Sequence, residues 1–345
     1  MNQIQKLIGF FTLFAVVFFT AQFNSKSTEY NISKEIEITG DQDAMRSRGS
    51  GAHDSLEITP NYENPPNIEL SDLIYNPSRN TVPIVNEEYN TIFFLVAKAA
   101  SSEWIRFFTR LNSSPLWCGN SIHRKSHQGL KFLSDYSIEE ATEIMTSKDW
   151  TRAIFVRNPK ARILSAFLDK VLAHERVFVR DKCPSYAKLG GDYDECVEKK
   201  DDFSFFLHNI TTTMNKNVHW RSIYSRVDEK WWPYMNYVAN MENLQGDAEH
   251  FLKSIKSNVS GDSAWNRIGT TGWGTNERDC ANLGDSAFLS KKDTRHKTNA
   301  KDKLRKYYNP DLEKFIETHY ADDLNNPFFH FTEMKLYDEG DEELI

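Results

Sequence analysis

The chain has no G-x-x-x-x-G-K-[ST] loop, which excludes the usual phosphate cradle of the P-loop nucleotide hydrolases. It has no C-x-x-C or C-x-x-H spacing and no convincing pair of metal-binding acids, so no metal is expected. It has no long basic tract and a formal net charge of −7, which argues against a nucleic-acid partner. Cysteine is scarce: Cys118, Cys183, Cys196 and Cys280 are all there is. The number is even, so disulfides are expected in an oxidising compartment, but spacing does not fix the pairing. Cys183 and Cys196 bracket Gly190 and Gly191 and can close a short loop.

Two stretches organise what is present. In the first, Ile92, Phe93, Phe94, Leu95 and Val96 read as a strand covered on both faces. The run stops at Lys98 and a turn of small residues, Ala99, Ala100, Ser101 and Ser102. Trp104, Ile105, Phe107, Phe108 and Leu111 then recur at helical spacing, with Ser101 or Ser102 as the candidate cap. A strand, a tight turn and a helix start make an anion site, because free backbone N–H groups and the helix dipole converge there. Lys98 adds a full positive charge. In the second stretch, Ile154, Phe155 and Val156 form another buried strand that ends at Arg157. Pro159 suits the first turn of a helix, carried on by Ile163, Leu164, Phe167, Leu168, Val171 and Leu172. The planar fork of Arg157 and the hydroxyl of Ser165 suit a second phosphate. Each stretch alone also fits an ordinary buried strand and capped helix. Together they predict a ligand with two separated anionic groups.

The first stretch, Val96-Ala97-Lys98-Ala99-Ala100-Ser101-Ser102-Glu103-Trp104, resembles the 5′-phosphosulfate loop of the sulfotransferases. The second, Phe155-Val156-Arg157-Asn158-Pro159 through Arg162 to Ser165-Ala166-Phe167, resembles their 3′-phosphate motif. His219-Trp220-Arg221-Ser222-Ile223-Tyr224 is similar to the H-W-R-x-V-Y segment of the Golgi carbohydrate sulfotransferases of the chondroitin and dermatan 4-O type. His296, Thr298, Asn299, Lys303, Leu304, Tyr307 and Tyr308, on to Tyr320, Asp322 and Asp323, resemble the C-terminal region of that branch. Four motifs in one order are a strong signal. Three departures stand out: Ala97 replaces a proline, Asn158 replaces an acid, and Arg226 and Val227 occupy the place of a family cysteine.

The resemblance implies an α/β, three-layer, P-loop-NTPase-like parallel sheet flanked by helices. It implies transfer of the sulfuryl group of 3′-phosphoadenosine 5′-phosphosulfate to a hydroxyl of a glycan or polysaccharide acceptor, with no metal. Lys98, Ala99, Ala100, Ser101 and Ser102 would hold the 5′ end of the donor. Arg157 and Ser165 would hold its 3′-phosphate, and His296 and Thr298 would close over it. Lys98 would stabilise the leaving group, and His123 or His127 would act as base. His219 and Arg221 are candidate acceptor contacts, although His219 also fits a hydrogen-bonded core residue beside Trp220.

A length of 345 residues allows one large or two modest domains. Residues 1–6 read as a short cytoplasmic tail. Residues 7–23 are ion-free and apolar, at the short limit for a membrane-spanning helix. They read as a signal-anchor, with a cleaved signal peptide as the alternative, since Phe19-Thr20-Ala21 is a poor cleavage site. Residues 24–88 read as a flexible stem, residues 89–335 as the catalytic domain, and residues 336–345 as an acidic tail. The expected location is the Golgi membrane, single-pass type II with a lumenal catalytic domain, or secretion after cleavage. Acceptor triplets for N-glycosylation at Asn31, Asn112, Asn209 and Asn258 agree with export. Two other classes share these features: a kinase-like nucleotide-dependent transferase, and a non-catalytic lumenal glycan-binding protein.

Overall fold

The structure, a computed structural model, describes residues 72–76, 82–118, 122–123, 129–273, 284–290, 298–331 and 334–337. Five strands form one sheet: β1 (Ile84–Asn86), β2 (Thr91–Phe94), β3 (Lys131–Phe132), β4 (Thr151–Val156) and β5 (Tyr237–Asn240). Their order is β3-β1-β2-β4-β5. β2, β4 and β5 run parallel, with Phe93 opposite Ala153 and Ile154 opposite Val238. β1 is antiparallel to both β2 and β3. The expectation of a wholly parallel sheet is therefore corrected to a mixed one. The reason is chain length: only residues 87–90 join β1 to β2, enough for a hairpin and far too few for a crossover.

The parallel strands are apolar because helices cover both of their faces. Helix α1 (Ser101–Leu111) buries Trp104, Ile105, Phe107, Phe108 and Leu111. The Trp104 ring lies 4.6 Å from that of Phe93 and 4.5 Å from that of Phe155. Phe251, from helix α2 (Leu244–Ser254), joins the same aromatic cluster. A second core gathers helix α3 (Pro159–Ala166), the π-helical turn Phe167–Leu172 that prolongs it, Trp220 and helix α4 (Pro310–His319). The predicted helix over residues 159–172 is thus continuous but changes pitch after Ala166. Pro159 sits in the first turn, and the Asn158 side chain accepts from Lys160 N, so asparagine caps this helix where the family pattern has an acid.

Cys183 and Cys196 are joined and link two short helices, Cys183–Lys188 and Tyr193–Glu198. Cys118 is also disulfide-bonded. No helix among the described residues is long and apolar enough to cross a membrane. The anchor, residues 7–23, most of the stem and residues 338–345 of the assigned tail lie outside the described residues; two boundaries are corrected, because residues 84–86 of the assigned stem form β1 and Leu336 and Tyr337 of the assigned tail donate their amides to Glu313.

One buried ion pair ties the two cores' connecting segments together. Arg162, fully buried, donates to the carbonyls of His219 and Arg221 and lies 3.7 Å from Asp323. Asp323 in turn accepts from Ser222 Oγ, Ile223 N and Tyr224 N. Removing one member of such a pair strands a buried charge. Asp323→Asn should lower stability by about 3–5 kcal/mol, measured by denaturant unfolding. An unchanged midpoint would show the pair to be dispensable.

Candidate functional site

β2 ends at Phe94 rather than at Val96, because the chain turns early: Ala99 N donates back to Val96 O at 3.1 Å. Lys98 and Ala100 both adopt left-handed backbone, with φ 70° and 57°. Ala100 is the N-cap of α1 and makes no side-chain cap bond. Ser101 and Ser102 therefore open the helix instead of capping it, and their hydroxyls are left for other partners. Ser102 Oγ lies 3.1 Å from His123 Nε2.

The second anion corner meets the first directly. Arg157 Nη1 donates to the Lys98 carbonyl at 2.9 Å, so the end of β4 is fastened to the turn after β2. Ser165 Oγ, about two helix turns further on, lies 3.0 Å from Thr298 Oγ1. A cavity of about 440 Å³ opens between them, within the roughly 300–1,000 Å³ of small-molecule sites. Lys98, Ala100, Ser101 and Ser102 line it from the first turn, and Arg157 and Ser165 from the second. His123, His219 and Thr298 complete the set of expected residues that the fold gathers here. It lies beyond the carboxyl ends of parallel strands, where open α/β sheets bind ligands.

Other expected residues lie elsewhere. Ala99 is buried in the sheet core and does not reach the cavity. Arg221 is also a correction: its guanidinium folds onto Ser225 and lines a separate polar hollow with Lys216 and His319. The physical reason is that Trp220, which precedes it, is fully buried and turns the next side chain outward. His127 and His296 lie outside the described residues.

Asp169 is the residue that sequence reasoning missed. Its Oδ2 receives Lys98 Nζ at 2.9 Å and Lys170 Nζ at 3.0 Å inside the cavity. The available signal was its position four residues after Ser165, on the same helix face. Burial pulls the Lys98 ammonium below the usual lysine range, and Asp169 partly restores it. Burial brings Arg157 down to about 10, still charged at neutral pH. Burial, reinforced by the Lys170 and Lys98 charges, brings His219 down to about 3, and its Nδ1 has no hydrogen-bond partner. No cluster that could hold a metal ion occurs among the described residues.

Two cationic corners, with serine and threonine hydroxyls between them, face one hollow at the strand ends. The match to known families agrees: residues 83–325 match the sulfotransferase family, and the chain belongs to it. It is similar to carbohydrate sulfotransferase 14 of Danio rerio, 26% identical over 178 residues, covering 50% of this chain and 47% of the relative. It is also similar to carbohydrate sulfotransferase 9 of Homo sapiens, 26% identical over 50% of this chain and 40% of the relative. Carbohydrate sulfotransferase 11 of Rattus norvegicus is 26% identical over 49% of this chain and 51% of the relative. The matched region thus spans about half the length of these curated relatives or less. No solved structure matches the chain.

The environment of His219 makes a direct prediction. Its imidazole should stay neutral from pH 8 down to pH 5, because protonation would place a cation beside Lys98 and Lys170 in a dry wall. A histidine NMR titration assigned through His219→Gln checks this. A His219 resonance moving with a midpoint near the ordinary histidine value of about 6.5 would contradict it.

Proposed function

We propose that the protein moves the sulfuryl group of 3′-phosphoadenosine 5′-phosphosulfate to a hydroxyl of a carbohydrate acceptor. The observation that carries this reading is the single cavity shared by Lys98, Arg157, Ser165 and Thr298. Its fit to the donor rests on the residues present. The first turn offers Lys98 and the backbone and hydroxyls of Ser101 and Ser102 to the 5′ end. Arg157, Ser165 and Thr298 offer a fork and two hydroxyls to the 3′-phosphate. The relatives' names support a carbohydrate acceptor.

The donor supplies an activated sulfuryl group, and the chain supplies position and charge. Lys98 presents a buried ammonium against the negative charge that grows on the leaving oxygen. His123 Nε2, held near Ser102, takes the proton of the attacking hydroxyl. A second cavity of about 320 Å³ adjoins the first and shares Ala97, Ser101, His123, Lys170 and His219 with it. His123 thus stands at the junction of two hollows, as a base between donor and acceptor must. Val82, Leu95, Ile105 and Phe132 give the second hollow apolar walls, suited to the C–H face of a sugar ring. The apolar, ion-free run at residues 7–23 supports an anchor, and the resemblance supports a Golgi lumenal setting, with secretion as the alternative.

Lys98→Ala should lower transfer from labelled donor to a glycan panel by about 10²–10³-fold; full activity in that variant would remove the assignment. Adenosine 3′,5′-bisphosphate should raise the thermal midpoint of the wild type, by the equivalent of about 2.7 kcal/mol at a hundredfold excess over Kd, whereas ATP with Mg²⁺ should not. The reverse preference would favour a kinase-like transferase.

A further inference from the structure

The proposed mechanism leaves one buried charge in the cavity without a task. The Asp169 side chain is only 7% exposed. It emerges from the π-helical turn Phe167–Leu172, just past Ser165 on the helix that follows β4. Such turns are rare and recur at functional sites. His174 Nδ1, from the next helix start, lies 2.6 Å from the Asp169 carbonyl and 3.7 Å from its carboxylate. A carboxylate in a hollow built for a polyanion is at first sight an obstacle, since it repels the ligand and occupies the cation the ligand needs.

The surroundings of Lys98 explain its presence. From the end of β4, Arg157 faces it; from the π-helical turn come Lys170 and Asp169; from the segment before Trp220 comes His219, held neutral. Glu103, Lys301 and Asp302 line the same cavity from α1 and from the C-terminal segment. Burial and the two neighbouring cations all act to strip the proton from Lys98, and the carboxylate in direct contact opposes them.

We propose that Asp169 is a positioning residue for Lys98: its carboxylate holds the buried side chain as an ammonium until the donor arrives and yields it to the donor's anionic oxygens on binding. This rests on the sulfuryl-transfer reading above. Asp169 therefore acts in two opposite directions, sustaining turnover and weakening the affinity for anions. A purely structural ion pair would act in one direction only, with its loss impairing both.

The test uses the full chain as wild type, Asp169→Asn, Asp169→Ser and Asp169→Glu. The readouts are kcat/KM for the labelled donor against pH, which reports the donor-free enzyme, with a responsive glycan as acceptor, and calorimetric affinity for adenosine 3′,5′-bisphosphate. The sign follows from the charge. Lys98 must be protonated to act, so activity is lost as pH rises through its pKa, and removing Asp169 lowers that pKa. In Asp169→Asn the alkaline limb should move to lower pH by about one pH unit or more, with the acid limb unmoved. The bisphosphate should bind about five- to tenfold more tightly, as expected when a like charge leaves the cavity. Asp169→Glu should return the limb toward its wild-type place. Asp169→Ser removes the same charge and serves if the asparagine variant does not fold. A folded charge-removed variant with a superimposable pH profile overturns the proposal. So does one that loses kcat/KM equally at every pH while binding the bisphosphate more weakly. A wild type that neither binds the bisphosphate nor transfers sulfate overturns the sulfuryl-transfer reading itself, and this proposal with it. An active wild type with an unresponsive Asp169→Asn removes only the role of Asp169.

Discussion

Cations taken out of water are what the cavity end of this fold is arranged around. A buried cation must find acceptors, and the chain supplies them mostly as backbone carbonyls. Arg226, 4% exposed, donates to Leu95 O at 2.7 Å and Val218 O at 3.2 Å. It thereby fastens the end of β2, just before Lys98, to the segment that carries His219. Arg152, fully buried, donates to Tyr234 O at 2.6 Å and Ser147 O at 2.8 Å, and so fixes the chain entering β5. Lys160 reaches Glu313, Glu317 and the Met334 carbonyl, which draws the C-terminal segment onto α3. Arg226, with Leu95 and Val218, thereby walls the hollow that adjoins the cavity, whereas Arg152, at the start of β4, and Lys160 brace the frame behind it.

The two anion corners were legible in the sequence because each is local: an apolar run, a cation and a helix start within a dozen residues. Trp104, Phe107 and Phe108 declared α1 by their spacing, and the fold placed them in the core as expected. β1 and β3 were not legible. They are three and two residues long, too short for any periodicity, and what holds them is pairing with each other and with β2. Asp169 escaped notice because a polar residue in an amphipathic helix ordinarily faces water. Only the meeting of β2's turn with the π-helical turn after α3, about seventy residues later, reveals its partner. Arg221 misled because its neighbours in the motif suggested a shared role, whereas burial of Trp220 decides which way each side chain points.

The H-W-R segment and the C-terminal tyrosine and aspartates, two separate motifs in the sequence, are largely one another's partners. Tyr320 Oη donates to Trp220 O at 2.6 Å. Asp323 collects the amides of Ile223 and Tyr224. Arg162, part of the 3′-phosphate motif by sequence, lies beneath both and touches neither turn of the cavity. The signature residues thus divide into those that face the cavity and those that hold the face in place. Arg226 belongs with the second kind. It stands where the family has a cysteine, and its carbonyl contacts give that position a bracing role that a thiol cannot fill.

The left-handed backbone at Lys98 and Ala100 has a consequence for how quickly the turn can meet an anion. Side-chain-bearing residues enter that region only at a penalty of about 1–2 kcal/mol each, and a glycine would remove it. A glycine would also let the peptide planes wander. By keeping lysine and alanine there, the chain accepts a standing strain and in return casts its amide dipoles in advance. An incoming oxyanion then meets a mould already set, and none of its binding energy goes into shaping it.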